Sequence, residues 1–142
     1  PAMNLLARRE HSTRQLRRKL SARGMEGAVV DDTLAALVEE RLLSDERFIE
    51  SLVRSRIAKG YGPLRIQAEL REHGIGDEQI SNAVDVDAGF WRDGIIDVRR
   101  KRFGTAPPSD LNERAKQMRF LQYRGFTSEQ IRAAFKQADS DE

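Results

Sequence analysis

The sequence predicts an all-α protein of three tandem three-helix repeats, helix-turn-helix-like, elongated and curved. Three observations predict it. A leucine, a glycine four residues on, an apolar residue and a later β-branched residue recur as Leu20, Gly24-Met25, Val30, then Leu70, Gly74-Ile75, Ile80, then Leu121, Gly125-Phe126, Ile131. The glycines lie 50 and 51 residues apart (24 to 74, 74 to 125), and self-similarity at a fixed period marks a repeat architecture. Apolar residues recur at helical spacing, and no stretch of useful length alternates like a strand. The repeats are read as residues 1–43, 44–88 and 89–142, each too small to bury its own apolar face without a stacked neighbour.

In chain order, a helix is expected over Met3 to Glu10. Ser12 with Gln15 forms a capping box for the next, with Leu16 and Leu20 on one face and Gly24 at its left-handed stop. A third helix covers Ala28 to Leu43, with Val30, Leu34, Leu37, Val38 and Leu42 inward. Ser44, followed by Asp45 and Glu46, starts the fourth, where acids favour the positive end of the dipole. Its buried stripe is Phe48, Leu52, Val53 and Ile57.

The turn Gly60-Tyr61-Gly62-Pro63 follows, and Pro63 suits the first position of the fifth helix, whose Ile66 and Leu70 repeat Leu16 and Leu20. The sixth helix runs from Asp77 to about Asp87. The seventh runs from Phe90 to Phe103, with Phe90 and Trp91 closing the seam between the second and third repeats. The run Gly104 to Ser109, with two prolines, is a turn. The eighth helix starts near Asp110. Thr127 with Gln130 caps the ninth, which fades near Ala138 into a disordered tail.

Composition narrows the function classes. The chain has 142 residues, 34% of them charged and 39% hydrophobic, and no cysteine. Disulfides and thiolate metal sites are excluded, and a reducing cytoplasm suits the chain. No apolar run approaches the roughly 18 residues that span a membrane, and no secretory signal is present. A start at Pro1 rather than Met points to trimming or a cloning remnant ahead of it.

The net charge of +2 hides a strong segregation. Residues 1–24 carry +6 and 25–50 carry −6; residues 51–73 carry +3 and 74–93 carry −4; residues 94–124 carry +5 and 125–142 carry −2. The first two helices of each repeat are basic and the third is acidic. Repeats stacked in register would then show a basic and an acidic flank, suited to a polyanion or to an acidic stripe on a filament. Alternatively, neighbouring helices pair opposite charges within each repeat.

Sequence-specific DNA reading by the third helices is disfavoured. A recognition helix must carry donors to base edges among phosphates, yet Asp77 to Ala88 holds four acids and no Lys or Arg. Catalysis finds no support: His11 and His73 have no partner at metal-ligand spacing, and no phosphate-binding G-x-x-x-x-G-K-[ST] motif occurs. His73 precedes Gly74 as Arg23 precedes Gly24 and Arg124 precedes Gly125, cations placed at the negative end of a helix dipole. His11, beside a cap residue, is read as a surface position. Tyr61, between two glycines, either anchors a partner or a base or packs on the preceding helix. The chain is read as no enzyme, with no cofactor and no metal.

Several runs resemble one family. Leu6-Ala7-Arg8-Arg9-Glu10-His11-Ser12, then Leu16-x-x-Lys19-Leu20-x-x-x-Gly24, are similar to the opening of the bacterial regulatory protein RecX family. So are Asp45-x-Arg47-Phe48, Arg54-x-Arg56 and Gly60-Tyr61-Gly62-Pro63-x-x-Ile66-x-x-Glu69-Leu70-x-x-x-Gly74-Ile75. The resemblance covers nearly the whole chain and is most specific in the first two repeats.

The resemblance implies a negative regulator of the RecA recombinase, linked to recombination, DNA repair and the SOS response. Such a protein binds the groove of the RecA–DNA filament and inhibits its ATPase, strand-exchange and coprotease activities; some members bind single- or double-stranded DNA weakly. The contact set expected is Arg8, Arg9, Arg14, Arg17, Arg18, Lys19, Arg54, Arg56, Lys59, Tyr61 and Arg65, on a monomer without membrane contact. The alternative is a nonspecific DNA-binding helical repeat protein acting by occlusion.

Overall fold

The computed structural model describes the backbone of residues 10–140 and the side chains of residues 10–136. Among the described residues every regular element is an α-helix. There are eight: α1 (Thr13–Ala22), α2 (Gly27–Glu39), α3 (Asp45–Ala58), α4 (Pro63–Glu72), α5 (Asp77–Ala83), α6 (Phe90–Phe103), α7 (Leu111–Arg124) and α8 (Ser128–Ser140). The helix expected over Met3 to Glu10 lies outside the described residues.

The helix ends follow from local chemistry. Gly24, Gly74 and Gly125 all take left-handed φ, at 87°, 80° and 101°. That conformation costs a side-chain-bearing residue roughly 1–2 kcal/mol, which explains the glycine at each repeat's stop. At α8 the capping box closes on both sides: Thr127 N–H donates to Gln130 Oε1 (2.9 Å), and Gln130 N–H to Thr127 Oγ1 (3.0 Å). At α1 only half of it forms. Gln15 N–H donates to Ser12 Oγ (3.0 Å), whereas Gln15 Oε1 is buried with no hydrogen-bond partner among the described residues. Ser44 Oγ caps α3 through Arg47 N–H (3.2 Å), and Asp110 Oδ1 caps α7 through Glu113 N–H (2.8 Å).

Two helices are shorter than the spacing predicts. α2 stops at Glu39 rather than Leu43 because Arg41 turns to a left-handed φ of 62°. Leu42 and Leu43 N–H then fold back onto the Leu37 carbonyl (2.9 and 3.1 Å), which buries Leu43. α5 ends at Ala83 instead of Asp87. The carbonyls beyond it are taken by side chains: Val84 by Gln67 Nε2 (3.2 Å), Asp85 by Trp91 Nε1 (2.8 Å) and Val86 by Gln130 Nε2 (2.8 Å). At the other end, α8 reaches Ser140, past the expected fade at Ala138; residues 141–142 lie outside the described residues.

The helices build two compact units. Among the described residues, the first holds those up to Val53 with Glu69–Ala83, and the second holds Arg54–Ala68 with those from Val84 onward. In the first, α1 packs on α2 around Leu16, Leu20, Val30, Leu34, Leu37 and Leu43, each such buried side chain contributing about 1.5–3 kcal/mol. Asp45 Oδ1 accepts from Thr13 N–H (2.7 Å), and Arg47 pairs with Glu10 (3.1 Å). The stripe of α3 is Phe48, Ile49 and Leu52; Val53 and Ile57, expected inside, are only half-buried. His11 corrects the surface reading. It is buried, and its Nε2 accepts from Lys19 Nζ at 3.1 Å.

In the second unit α6, α7 and α8 pack on one another. Its buried residues include Ile66, Trp91, Ile95, Leu121, Phe126, Ile131 and Phe135. Trp91 is buried as expected, whereas Phe90 is 55% exposed. A cation sits in this core. Arg99, 5% exposed, donates from Nε to Gln117 Oε1 (3.1 Å) and from Nη2 to the Ala106 carbonyl (3.0 Å). Its guanidinium lies 5.1 Å from the Phe135 ring, and Arg114 lies 4.9 Å from that same ring. The two-proline turn is thereby tied to α6.

Candidate partner interface

The turn Gly60-Gly62 is seated by backbone. Gly62 N–H donates to the Arg124 carbonyl (2.7 Å) and Leu64 N–H to the Gly125 carbonyl (2.9 Å). This close approach admits no side chain on either Gly62 or Gly125. A Cβ at Gly62 would meet the Gly125 carbonyl carbon at 2.6 Å, and one at Gly125 would overlap Arg65.

That seating brings aromatic rings and guanidinium groups into one alternating ladder. Arg65 lies 5.1 Å from the Tyr123 ring and 3.9 Å from the Tyr61 ring. Arg124 lies 5.2 Å from Tyr61 and 4.9 Å from Phe120, and Arg102 lies 5.2 Å from Phe120. The order is Tyr123, Arg65, Tyr61, Arg124, Phe120, Arg102. Each step contributes about 0.5–1 kcal/mol where solvent reaches it, and up to about 2 where it does not. Two hydrogen bonds hold the cations: Arg124 Nη1 to the Lys59 carbonyl (2.7 Å) and Arg65 Nη1 to the Tyr123 carbonyl (3.4 Å). Fixed cations alternating with rings suit anionic groups and flat apolar ones together. Tyr123, 74% exposed, ends the ladder in solvent.

The other residues expected to contact a partner are distributed over both units. Arg8 and Arg9 lie outside the described residues. In the first unit Arg14, Arg17 and Arg18 are exposed on α1, and Lys19 is half-buried against His11. The stem of Arg14 lies across Gly74, with Cδ 2.5 Å from where a Cβ would stand. Arg17 pairs with Asp31 of the neighbouring α2. In the second unit Arg54 and Lys59 are exposed, and Arg56 is half-buried, donating to Ser55 Oγ (3.2 Å). Tyr61 and Arg65 are half-buried in the ladder. Tyr61 thus packs between Arg65 and Arg124 rather than on its preceding helix alone.

Local pairing of opposite charges occurs in both of the first two repeats, at Arg17–Asp31 and at Arg71–Asp77 (3.5 Å). These exposed pairs contribute about 0–1 kcal/mol each. The sequence reading missed Tyr123, Phe120 and Arg102 as ladder members, and it took Arg124 only as a cation at a helix end. The signal was present in the spacing. Phe120, Tyr123 and Arg124 lie three and four residues apart, on adjoining positions of one helix. Among the described residues no group of His, Asp or Glu is placed to hold a metal ion, and no helix is long and apolar enough to cross a membrane.

Comparison with known proteins agrees with this architecture. Residues 2–37 match the family model of the RecX first three-helix domain, residues 44–84 the second and residues 93–135 the third. Regulatory protein RecX of Halorhodospira halophila (strain DSM 244 / SL1) is 45% identical over 141 residues, spanning 99% of this chain and 88% of that protein. Regulatory protein RecX of Stenotrophomonas maltophilia (strain K279a) is 43% identical over 140 residues, spanning 99% and 86%. The crystal structure of RecX from Lactobacillus salivarius superposes with a TM-score of 0.79 at 20% identity, covering 98% of this chain and 92% of that one, a likeness of fold. With all three domain models matched in order and relatives this similar along nearly its whole length, the chain belongs to the RecX family of regulatory proteins.

Proposed function

We propose that this chain is a negative regulator of the RecA recombinase, acting in the cytoplasm as a monomer. It binds in the groove of the RecA–DNA filament and lowers the filament's ATPase, strand-exchange and coprotease activities. The observation that carries the reading is the match of the three three-helix domains, in order, to the RecX models. The repeats at 1–43, 44–88 and 89–142 serve as the binding modules, and the cations of the first two supply much of the contact. Arg14, Arg17 and Arg18 on α1, with Arg54, Lys59 and Arg65 around the Gly60-Gly62 turn, suit DNA phosphates and acidic protein stripes. Contacts at several modules raise avidity beyond that of any one of them.

Titrating the chain into RecA assembled on single-stranded DNA tests this directly: ATP hydrolysis falls with added chain at fixed salt. Unchanged hydrolysis at saturating chain would sink the reading. A second reading is favoured by the ladder from Tyr123 to Arg102, whose chemistry also suits bare single strands: nonspecific DNA binding and occlusion. Affinity for naked DNA near physiological salt separates them, since nonspecific binding falls at about 10⁻⁴–10⁻⁶ M. Much tighter binding to filament supports the regulator, and equal binding supports occlusion.

A further inference from the structure

A groove of about 610 Å³ opens within the second unit, between the end of α3, the outer face of α6 and part of α7. Its apolar lining is Ile57, Phe90, Val98 and Phe120. Four cations, Lys59, Lys101, Arg102 and Arg124, face two carboxylates, Asp93 and Asp97. Arg100 lies 3.6 Å from Asp97 and offsets one of these acids. The groove also contains Gly94, in the interior of α6. A helix-interior glycine is destabilising relative to alanine, because its backbone loses more freedom on folding. At Gly94 the fold gives no return for that cost, because a Cβ built there meets nothing within 4 Å. Gly62 and Gly125, by contrast, are forced by touching backbone. A bare backbone facing an open groove is what close approach by another molecule requires.

We propose that this groove binds an acidic peptide segment of a partner protein, seating one bulky apolar side chain against Gly94 and Val98 while its carboxylates meet the flanking cations. Opposite charge is supplied by the surplus of lysine and arginine, and the apolar anchor is matched by Ile57, Phe90 and Val98. A nucleic-acid strand fits less well. Arg102 and Arg124 already cover the Phe120 ring on which a base would stack. The inference deepens the regulator reading by giving the chemistry of one partner segment.

The test uses the full chain and a short fluorescein-labelled peptide with a central Leu-Phe pair flanked by Asp and Glu, followed by anisotropy. The peptide binds saturably, and a version with lysine in place of the acids does not. Gly94→Leu sets its Cβ where nothing lies within 4 Å and extends the rest of its side chain into the groove, so the variant folds and binds the peptide at least about tenfold more weakly. Lys59→Glu with Lys101→Glu weakens it similarly. No binding by the parent chain, or equal binding by Gly94→Leu, overturns the proposal. So does a single-stranded oligonucleotide that binds with Gly94 sensitivity where the peptide does not, or a change in self-association on Gly94→Leu. RecA ATPase assays run alongside separate the two readings. Intact inhibition without peptide binding overturns only the groove, and peptide binding without inhibition overturns only the RecA reading.

Discussion

Gly62 and Gly125, 63 positions apart in the chain, touch backbone to backbone: a Cβ on Gly62 would stand 2.6 Å from the Gly125 carbonyl carbon. The contact joins the turn of the second repeat to the turn of the third, and the Gly62 N–H to Arg124 carbonyl bond (2.7 Å) locks it. The alternating ladder grows from this seat, because it fixes both Tyr61 and Arg124.

Gly62→Ala therefore destabilises the chain by about 1–3 kcal/mol, the range for overpacking a close approach. Gly125→Ala costs more, since its φ of 101° adds backbone strain to the overlap with Arg65. Urea unfolding measures both. A midpoint for Gly62→Ala equal to the parent's would contradict the packing described.

Gly94→Ala has the opposite sign. The substitution meets no neighbour and improves helix propensity, so stability rises by about 0.5–1 kcal/mol. Thermal unfolding reads it, and a lowered midpoint would show that a neighbour crowds Gly94 after all.

Arg99→Ala should cost about 2–4 kcal/mol, leaving the buried Gln117 Oε1 and the Ala106 carbonyl unserved and removing the stem packed in the core. Arg99→Lys recovers little. A single ammonium replaces the guanidinium's fixed fork, which reaches both acceptors. Chemical denaturation of the two variants checks the order.

Tyr61→Phe keeps the ring between Arg65 and Arg124 and leaves filament binding unchanged, whereas Tyr61→Ala removes two ladder steps and weakens it. Identical binding by both variants would show that the phenolic hydroxyl and the ring are equally dispensable, and that the ladder does not meet the filament.

Neutralising Arg14, Arg17 and Arg18 together weakens filament binding. If they meet phosphates, the salt dependence becomes shallower, by about 0.7–0.9 in log–log slope for each phosphate left without its arginine. An unchanged ATPase inhibition curve would remove α1 from the interface.

The repeat architecture was legible because three glycines do the same work. A helix stop in the left-handed region excludes most side chains, so Leu20–Gly24, Leu70–Gly74 and Leu121–Gly125 survive as a visible pattern. The capping box at Thr127 was readable for a similar reason, both partners being local. What was hidden depends on partners far along the chain. Nothing near Arg99 reveals that Gln117 and Ala106 wait for it, and a basic run at a helix end reads as solvent-facing. The early end of α5 escaped because the side chains that hold the Val84, Asp85 and Val86 carbonyls outside a helix, Gln67, Trp91 and Gln130, lie elsewhere in the chain. His11 looked superficial beside its cap residue, and only the fold shows Lys19 closing over it.

The mutual seat of Gly62 and Gly125 means these modules are not interchangeable beads. Splicing an extra repeat between the second and third would part the two turns. Any lengthened version of this protein must then carry a new pair of side-chain-free residues to rebuild the joint.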